Sequence, residues 1–425
     1  MNLFKDIKAF FSGKRQYTFY FLTLTFGDSL LAILLSVMQV FGLRAGRKTK
    51  NRFLADIKND YRFKEAYLFG SARSSLYALL KSLEYEKGSE VLLTGYTCEV
   101  VPNAVINAGF VPIYVDIDPS SYCMDPLQIE KSITTKSRVI VIQHTFGIPA
   151  HIEEILIIAR KHNLYIIEDC AVSLGSKYKG SLTGTFGDAA IFSFELSKTI
   201  TSCWGGMLLL NSDKDNAIKL MDRLYSKVPE QKYRQRIMTL FQLGMSGILY
   251  SPKIYILSKY LIALLFKLRI FSPSTTSYEY KGCLPLDYLV KLTSEQTIVL
   301  RRQYSRTELL FKKRQELKMQ YIDKYSEHLD SKFIQLVSDK DVVLIRFPLL
   351  IENRQATSVW FDKKYIELGT WFTSPLSSEL IDTDVFNYKP GSCRNSESVS
   401  KKIINLPLIP YCSRVIIGNS TLFEY

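Results

Sequence analysis

The chain has 425 residues, 47% of them hydrophobic, and a formal net charge of +14; this suffices for a large buried core and excludes a disordered protein. Its seven cysteines stand singly without a C-x-x-C pair, and its four histidines are not at metal-ligand spacing, so neither a disulfide framework nor a metal is expected, and a reducing, cytosolic compartment fits best. The positive charge suits a phosphorylated substrate or a membrane surface; no zinc-finger, basic-zipper or RNA-recognition pattern supports nucleic acid.

Residues 1–52 read as a hydrophobic N-terminal extension. Tyr17 to Leu43 is apolar except for Gly27, Asp28, Gln39 and small or hydroxyl residues, with Lys14 and Arg15 before it and Arg44, Arg47, Lys48 and Lys50 after it. About 20 apolar residues span a bilayer, but Gly27-Asp28 near the middle would put a carboxylate in lipid. A bent or interfacial hairpin is therefore expected rather than a clean span, with packing on the protein core as the alternative. No small-residue cleavage site follows, so a removable signal peptide is not expected.

Residues 53–235 alternate between helix and strand. Leu76, Leu79, Leu80 and Leu83 recur at helical spacing, and strands are expected at Glu90–Leu93, Val111–Val115, Val139–Gln143, Leu164–Ile167, Ala189–Phe194 and Met207–Leu210. Such alternation predicts a mostly parallel sheet with its ligand beyond the strand ends. Residues 236–275 form a second greasy segment, in which Lys267 and Arg269 would fall about 80° either side of Lys259 on one helix, the layout of an interfacial helix or of a core or dimer helix with snorkelling lysines. Residues 276–425 read as a smaller carboxyl-terminal α/β domain, with a charged helix over Thr293–Lys318 and a strand at Val342–Leu350.

The chemistry sits at the strand ends. In LFGSARSS, residues 68–75, small and hydroxyl side chains precede a helix whose first amides, with Ser74 or Ser75, can hold a phosphate; the same pattern also caps ordinary helices. The run LYIIED then delivers Glu168 and Asp169 at the end of an apolar strand. Pyridoxal phosphate (PLP) needs such a carboxylate opposite its ring nitrogen, because a protonated ring is the electron sink for a carbanion at the substrate, and Asp169 suits that role. Lys198 follows in a semi-apolar turn between two strands, where a lowered pKa makes lysine a Schiff-base nucleophile.

Taken in order, GSARSSLYALL, EVLLTGYT, VPNAVINAGFVPIYVDIDPSSYCMD, QHTFGIPA, IIEDCA, GTFGDAAIFSFELSK, GGMLLLN and INLPLIP resemble the DegT/StrS family of sugar aminotransferases, from about Leu68 to Asn211 and more loosely to Pro410. The resemblance implies a fold-type I PLP transferase: a large domain with a mostly parallel central sheet plus a smaller C-terminal α/β domain. By the same resemblance Lys198 carries the cofactor, Asp169 holds its pyridinium nitrogen, Ser193 binds its phosphate, and Ala72, Arg73 and Ser74 form the phosphate cradle. It also implies a homodimer and an amino group passed from glutamate to a keto-sugar, nucleotide-linked, in surface-glycan synthesis. Retention of Lys198 argues for transamination over the family's dehydratase branch.

Three positions depart from the family pattern. Cys98 stands where relatives place an aromatic ring over the cofactor, Val172 where they have a glutamine, and Trp204 where an acidic residue precedes the Gly-Gly pair. An outlying member is expected, with Cys98 and Val172 lining the cofactor. The two greasy segments leave open a lipid-linked acceptor and peripheral association with the inner face of the membrane, and the three departures leave open a non-catalytic binder.

Overall fold

The computed structural model describes residues 3–18, 23–377 and 381–418; residues 19–22 of the first apolar stretch lie outside them. The helices in chain order are α1 (Leu3–Phe11), α2 (Phe26–Val40), α3 (Arg47–Tyr61), α4 (Ala72–Ser82), α5 (Val100–Ala108), α6 (Pro126–Ser132), α7 (Ile152–Lys161) and α8 (Ala217–Lys227). They continue as α9 (Tyr233–Leu249), α10 (Tyr255–Lys267), α11 (Ser294–Tyr304), α12 (Thr307–Tyr325), α13 (Ser331–Ser338), α14 (Arg354–Lys363), α15 (Arg394–Lys402) and α16 (Pro410–Ile417).

The central sheet is built from β1 (Glu65–Phe69), β2 (Glu90–Thr94), β3 (Val111–Val115), β4 (Ser137–Gln143), β5 (Tyr165–Asp169), β8 (Ala189–Ser193) and β9 (Gly206–Leu210). A two-stranded ribbon, β6 (Lys177–Tyr178) and β7 (Ser181–Leu182), lies between β5 and β8 in the chain. The spatial order is β1-β9-β8-β5-β4-β2-β3, and β9 runs antiparallel to both its neighbours. All six expected strands form, shifted by at most a few residues at their ends. β1 was not foreseen: five residues beside a glycine turn carry no alternation long enough to stand out, and only pairing with β9 defines it, from Glu65 opposite Leu210 to Phe69 opposite Gly206.

Buried aliphatic residues fill both faces of the sheet, as expected where helices cover a parallel sheet on each side. A second core surrounds β10 (Phe347–Leu350), paired antiparallel with β11 (Ile403–Leu406), and gathers α12 and α13 with Tyr17 from the extension and Tyr96 from the large sheet's margin. The expected strand from Val342 is thus shorter. Its first residues are buried coil, with Val343 N–H donating to Ser176 Oγ and Ile345 N–H to the Phe146 carbonyl. The helix expected over Thr293–Lys318 is two helices, α11 and α12, breaking at Ser305–Arg306; α11 packs on α3 and α2.

The greasy segments meet in space: α2 packs along α9, and α1 against α10. Close approach of α2 to α9 requires glycine on α9, since a Cβ on Gly244 would lie 2.6 Å from the Ser29 carbonyl oxygen and one on Gly247 2.0 Å from Ser29 Oγ. Asp28 occupies no mid-membrane position. It closes the capping box of α2 with Thr25 and, fully buried, accepts from Arg302 (3.1 Å) and Arg306 (2.5 Å). The single basic face of the second segment does not form: α10 ends at Lys267, Arg269 is left-handed (φ 55°), and Lys259 turns inward to Asp6 at 2.9 Å. No described helix is long and apolar enough to cross a membrane.

Candidate active site

Much of the site leaves the sheet at one edge. β1, β2, β4, β5 and β8 end there and the antiparallel β9 begins there, so Ser71, Cys98, Gln143, Asp169, Ser193 and Gly205 line one cavity of about 250 Å³. Period-two alternation along β5 sends its two terminal carboxylates to opposite sides. Glu168 accepts from the backbone N–H groups of Gly184, Phe186 and Gly187, each at 2.7 Å, and from His144 Nε2 at 3.1 Å. His144 Nδ1 in turn accepts from Ala150 N–H. Among the described residues His144, Glu168 and Cys170 are the one group with metal-capable spacing, but the oxygens of Glu168 and both imidazole nitrogens are already bonded, so the cluster knits β5 to its neighbouring loops. Asp169 lines the cavity instead and accepts from Ala171 N–H at 2.9 Å.

Lys198 reaches the same cavity from the loop after β8, where its N–H bonds the Glu195 carbonyl. Burial pulls its ammonium below the ordinary lysine value, against the opposing pull of Glu195, Cys98 and Asp169. Burial pushes the Asp169 carboxyl above its ordinary value, against Ala171 N–H, Lys198 and His144. Desolvation thus brings a base and an acid toward each other's titration range in one enclosed space.

The turn before α4 has the form of an anion cradle. Ser71 caps the helix, and Ala72 and Arg73 line the cavity as first-turn residues whose amides precede any intrahelical acceptor. This turn rests directly on β9: a Cβ at Gly206 would lie 2.3 Å from the Ala72 nitrogen, which is why a glycine pair precedes MLLL. Ser74 is not brought into the cavity, because its hydroxyl and amide are both used in a capping box with Ser71. Ser75 likewise bonds back to the Ser71 carbonyl. The Arg73 guanidinium is held by Glu279 and the Ser274 carbonyl. Ser193, paired across the sheet with Gly206, lines the same cavity.

Cys98, Val172 and Trp204 all line the cavity. Burial pushes the Cys98 thiol up, so it stays protonated and serves as a small apolar wall. Residues not foreseen complete the enclosure. Glu195 lies three positions before Lys198, a spacing visible in FELSK; Trp371 and Phe372 arrive from the C-terminal part of the chain, with no local pattern to announce them. Lys198 Nζ lies 4.6 Å and the Arg346 guanidinium carbon 3.8 Å from the Trp371 ring centroid. A buried lysine, a buried carboxylate and a turn of open amides around one cavity fit PLP.

A mostly parallel seven-stranded sheet that brings these groups to its carboxyl edge defines a PLP-dependent aminotransferase of fold type I. The chain belongs to the DegT/DnrJ/EryC1/StrS aminotransferase family, whose model matches residues 31–415. An uncharacterised protein of Methanocaldococcus jannaschii is 28% identical over 82% of this chain and 81% of its own length. The GDP-perosamine synthase of Escherichia coli O157:H7 is 42% identical over 32% of this chain, which spans 38% of that enzyme. Among solved structures, Helicobacter pylori PseC, an aminotransferase of pseudoaminic acid biosynthesis, superposes with a TM-score of 0.72 over 96% of this chain and 100% of its own at 19% identity, a likeness of fold.

Proposed function

We propose that the chain moves an amino group from glutamate to the keto carbon of a nucleotide-linked sugar in surface-glycan synthesis. The observation that carries this reading is the convergence of Lys198 and Asp169 on one buried cavity. In the proposed assignment the Ala72 and Arg73 amides with Ser193 Oγ hold the cofactor phosphate, and Asp169 holds the ring nitrogen. Cys98 and Val172 bound the ring. When bound, PLP supplies an electron sink for the bond broken at the substrate carbon.

Lys198 would anchor the cofactor, and its free amine would take a proton from the substrate carbon and return one at the adjacent position. Burial lowers its pKa and so favours the neutral amine that can accept that proton, and the Asp169 carboxylate would be the partner of the ring nitrogen's proton. Trp371 and Phe372 exclude water from this exchange. The assembly is proposed to be a homodimer working on the cytosolic side, with partner residues completing the sugar site.

A second reading keeps PLP and puts the acceptor on a lipid carrier at the inner membrane face; the outward apolar side chains of α2, such as Phe26, Leu30 and Leu34, favour it. The test of the first reading is spectroscopic. Purified protein should be yellow, lose the band on adding glutamate and regain it with a nucleotide-linked keto-sugar. A band that glutamate leaves unchanged identifies a binder rather than a transaminase.

A further inference from the structure

Helix α2 buries an unusual share of polar groups. Beside Ala32 and Leu35, its buried side carries Asp28, Ser29, Ser36 and Gln39: Asp28 pairs with two arginines, Ser36 bonds the Ile237 carbonyl and Gln39 bonds Glu295, while Ser29 bonds back to the Thr25 carbonyl at the start of its own helix. Its outer side presents Phe26, Leu30, Leu34, Val37 and Val40, between 47% and 72% exposed. A helix facing water turns its polar residues outward; this one buries four polar side chains and leaves five of its large apolar ones exposed. The neighbouring pair α1 and α10 does the same, with Phe4, Phe11, Leu264 and Leu268 exposed while Asp6 is buried against Lys259 and Tyr260.

Charge separates the occupants that would cover such a surface. Before Asp56 the sequence has only two acids, Asp6 and Asp28, and both are buried in ion pairs; from 231 to 278 it has none. The exposed charges that these two stretches themselves carry are therefore all basic, among them Lys8, Lys14, Arg44, Arg47, Lys267 and Arg269. A second copy meeting this surface about a two-fold axis would set these cations against their own images. A bilayer with anionic headgroups accommodates the apolar side chains and the cations together.

From this we infer that the outer faces of α1, α2 and the end of α10 form a docking surface for anionic lipid, on which the protein lies without crossing. At 15 residues α2 is about 22 Å long, short of a hydrocarbon layer of about 30 Å. None of the named surface residues lines the cofactor cavity, so docking and chemistry are separable properties.

Flotation of the full-length holoenzyme with phosphatidylcholine vesicles, with and without phosphatidylserine, tests this. Binding should require phosphatidylserine, weaken with salt, and fall roughly fivefold for each basic residue neutralised in Arg44→Gln, Arg47→Gln and Lys48→Gln. The triple variant Phe26→Ser, Leu30→Ser, Leu34→Ser should abolish it while keeping the cofactor absorbance band, which certifies the fold. The inference is overturned if the wild type does not float, floats equally with phosphatidylcholine alone, or floats unchanged as the triple variant. It is equally overturned if that variant dissociates a lipid-free oligomer in sedimentation, which would make the face a contact between copies. None of these outcomes depends on turnover, so failure here leaves the amino-transfer reading standing, and the reverse.

Discussion

Lys198 Nζ lies 4.6 Å from the centroid of the Trp371 ring, whose other cationic neighbour is Arg346 with its guanidinium carbon at 3.8 Å. An aromatic face favours the charged form of a lysine by about 1 kcal/mol, so the C-terminal part of the chain sets the basicity of a residue in the large domain. Trp371→Leu removes that support and should lower the Lys198 pKa further, moving the acid limb of the kcat–pH profile to lower pH by less than about one unit. An acid limb that stays in place or moves up would separate Trp371 from the lysine's titration.

The two central residues should fail differently. Lys198→Ala removes the covalent anchor, and borohydride treatment should then label no peptide, whereas the wild type is labelled at one. Asp169→Asn should retain bound PLP but slow turnover by about a thousandfold, because a neutral amide no longer holds the ring nitrogen's proton. Asp169→Asn turnover within a few-fold of wild type would remove Asp169 from the mechanism.

Gly206 marks the closest approach in the cradle, with the Ala72 nitrogen and the Ser71 carbonyl carbon each 2.3 Å from where a Cβ would stand. Gly206→Ala must displace the backbone of Ser71 and Ala72, the proposed phosphate cradle. PLP affinity should fall at least tenfold, with a stability loss of about 2 kcal/mol from the overpacked turn. Titration of the apoprotein with PLP and a melting curve measure the two effects separately, and normal affinity would show that Ala72 and Arg73 do not bear on the phosphate.

Asp28 links the N-terminal extension to α11 and to Arg306 just before α12. Burial by itself would raise its carboxyl pKa, but the bonds from Arg306, Thr25 and Arg302 outweigh burial and hold it below the ordinary value. A folded pKa below the unfolded one means the stabilisation is present above about pH 4, the unfolded carboxyl value, and is lost as pH falls through the folded value. Asp28→Asn keeps a capping side chain and removes the charge. It should cost about 1.5 kcal/mol at pH 7, a figure kept small by the half-exposed arginines, and less at pH 3. Urea denaturation at the two pH values checks the sign.

Much of the large domain was legible in the chain because its signals are local. Strand alternation, the small residues before α4, the acid at the end of YIIED and the lone Lys198 depend on backbone geometry over a few residues, and topology then brings strand ends to one edge. The sequence and its family resemblance assigned the ring partner to Asp169, but could not say where Glu168 goes instead, nor choose between the backbone of Ala72 and the hydroxyl of Ser74. Those choices depend on which side of β5 meets the Gly184–Gly187 loop and on a serine side chain turning back to cap its own helix. Trp371 was invisible because a ring acquires its role only when a distant loop folds over the cavity. Hydropathy singled out Tyr17–Leu43 and 236–275 as apolar segments, yet composition carries no direction. Only the packing of α2 on α9 and the burial of Asp6 and Asp28 decided which side of each helix meets the protein, because pairing buried carboxylates with distant cations turns the apolar side outward.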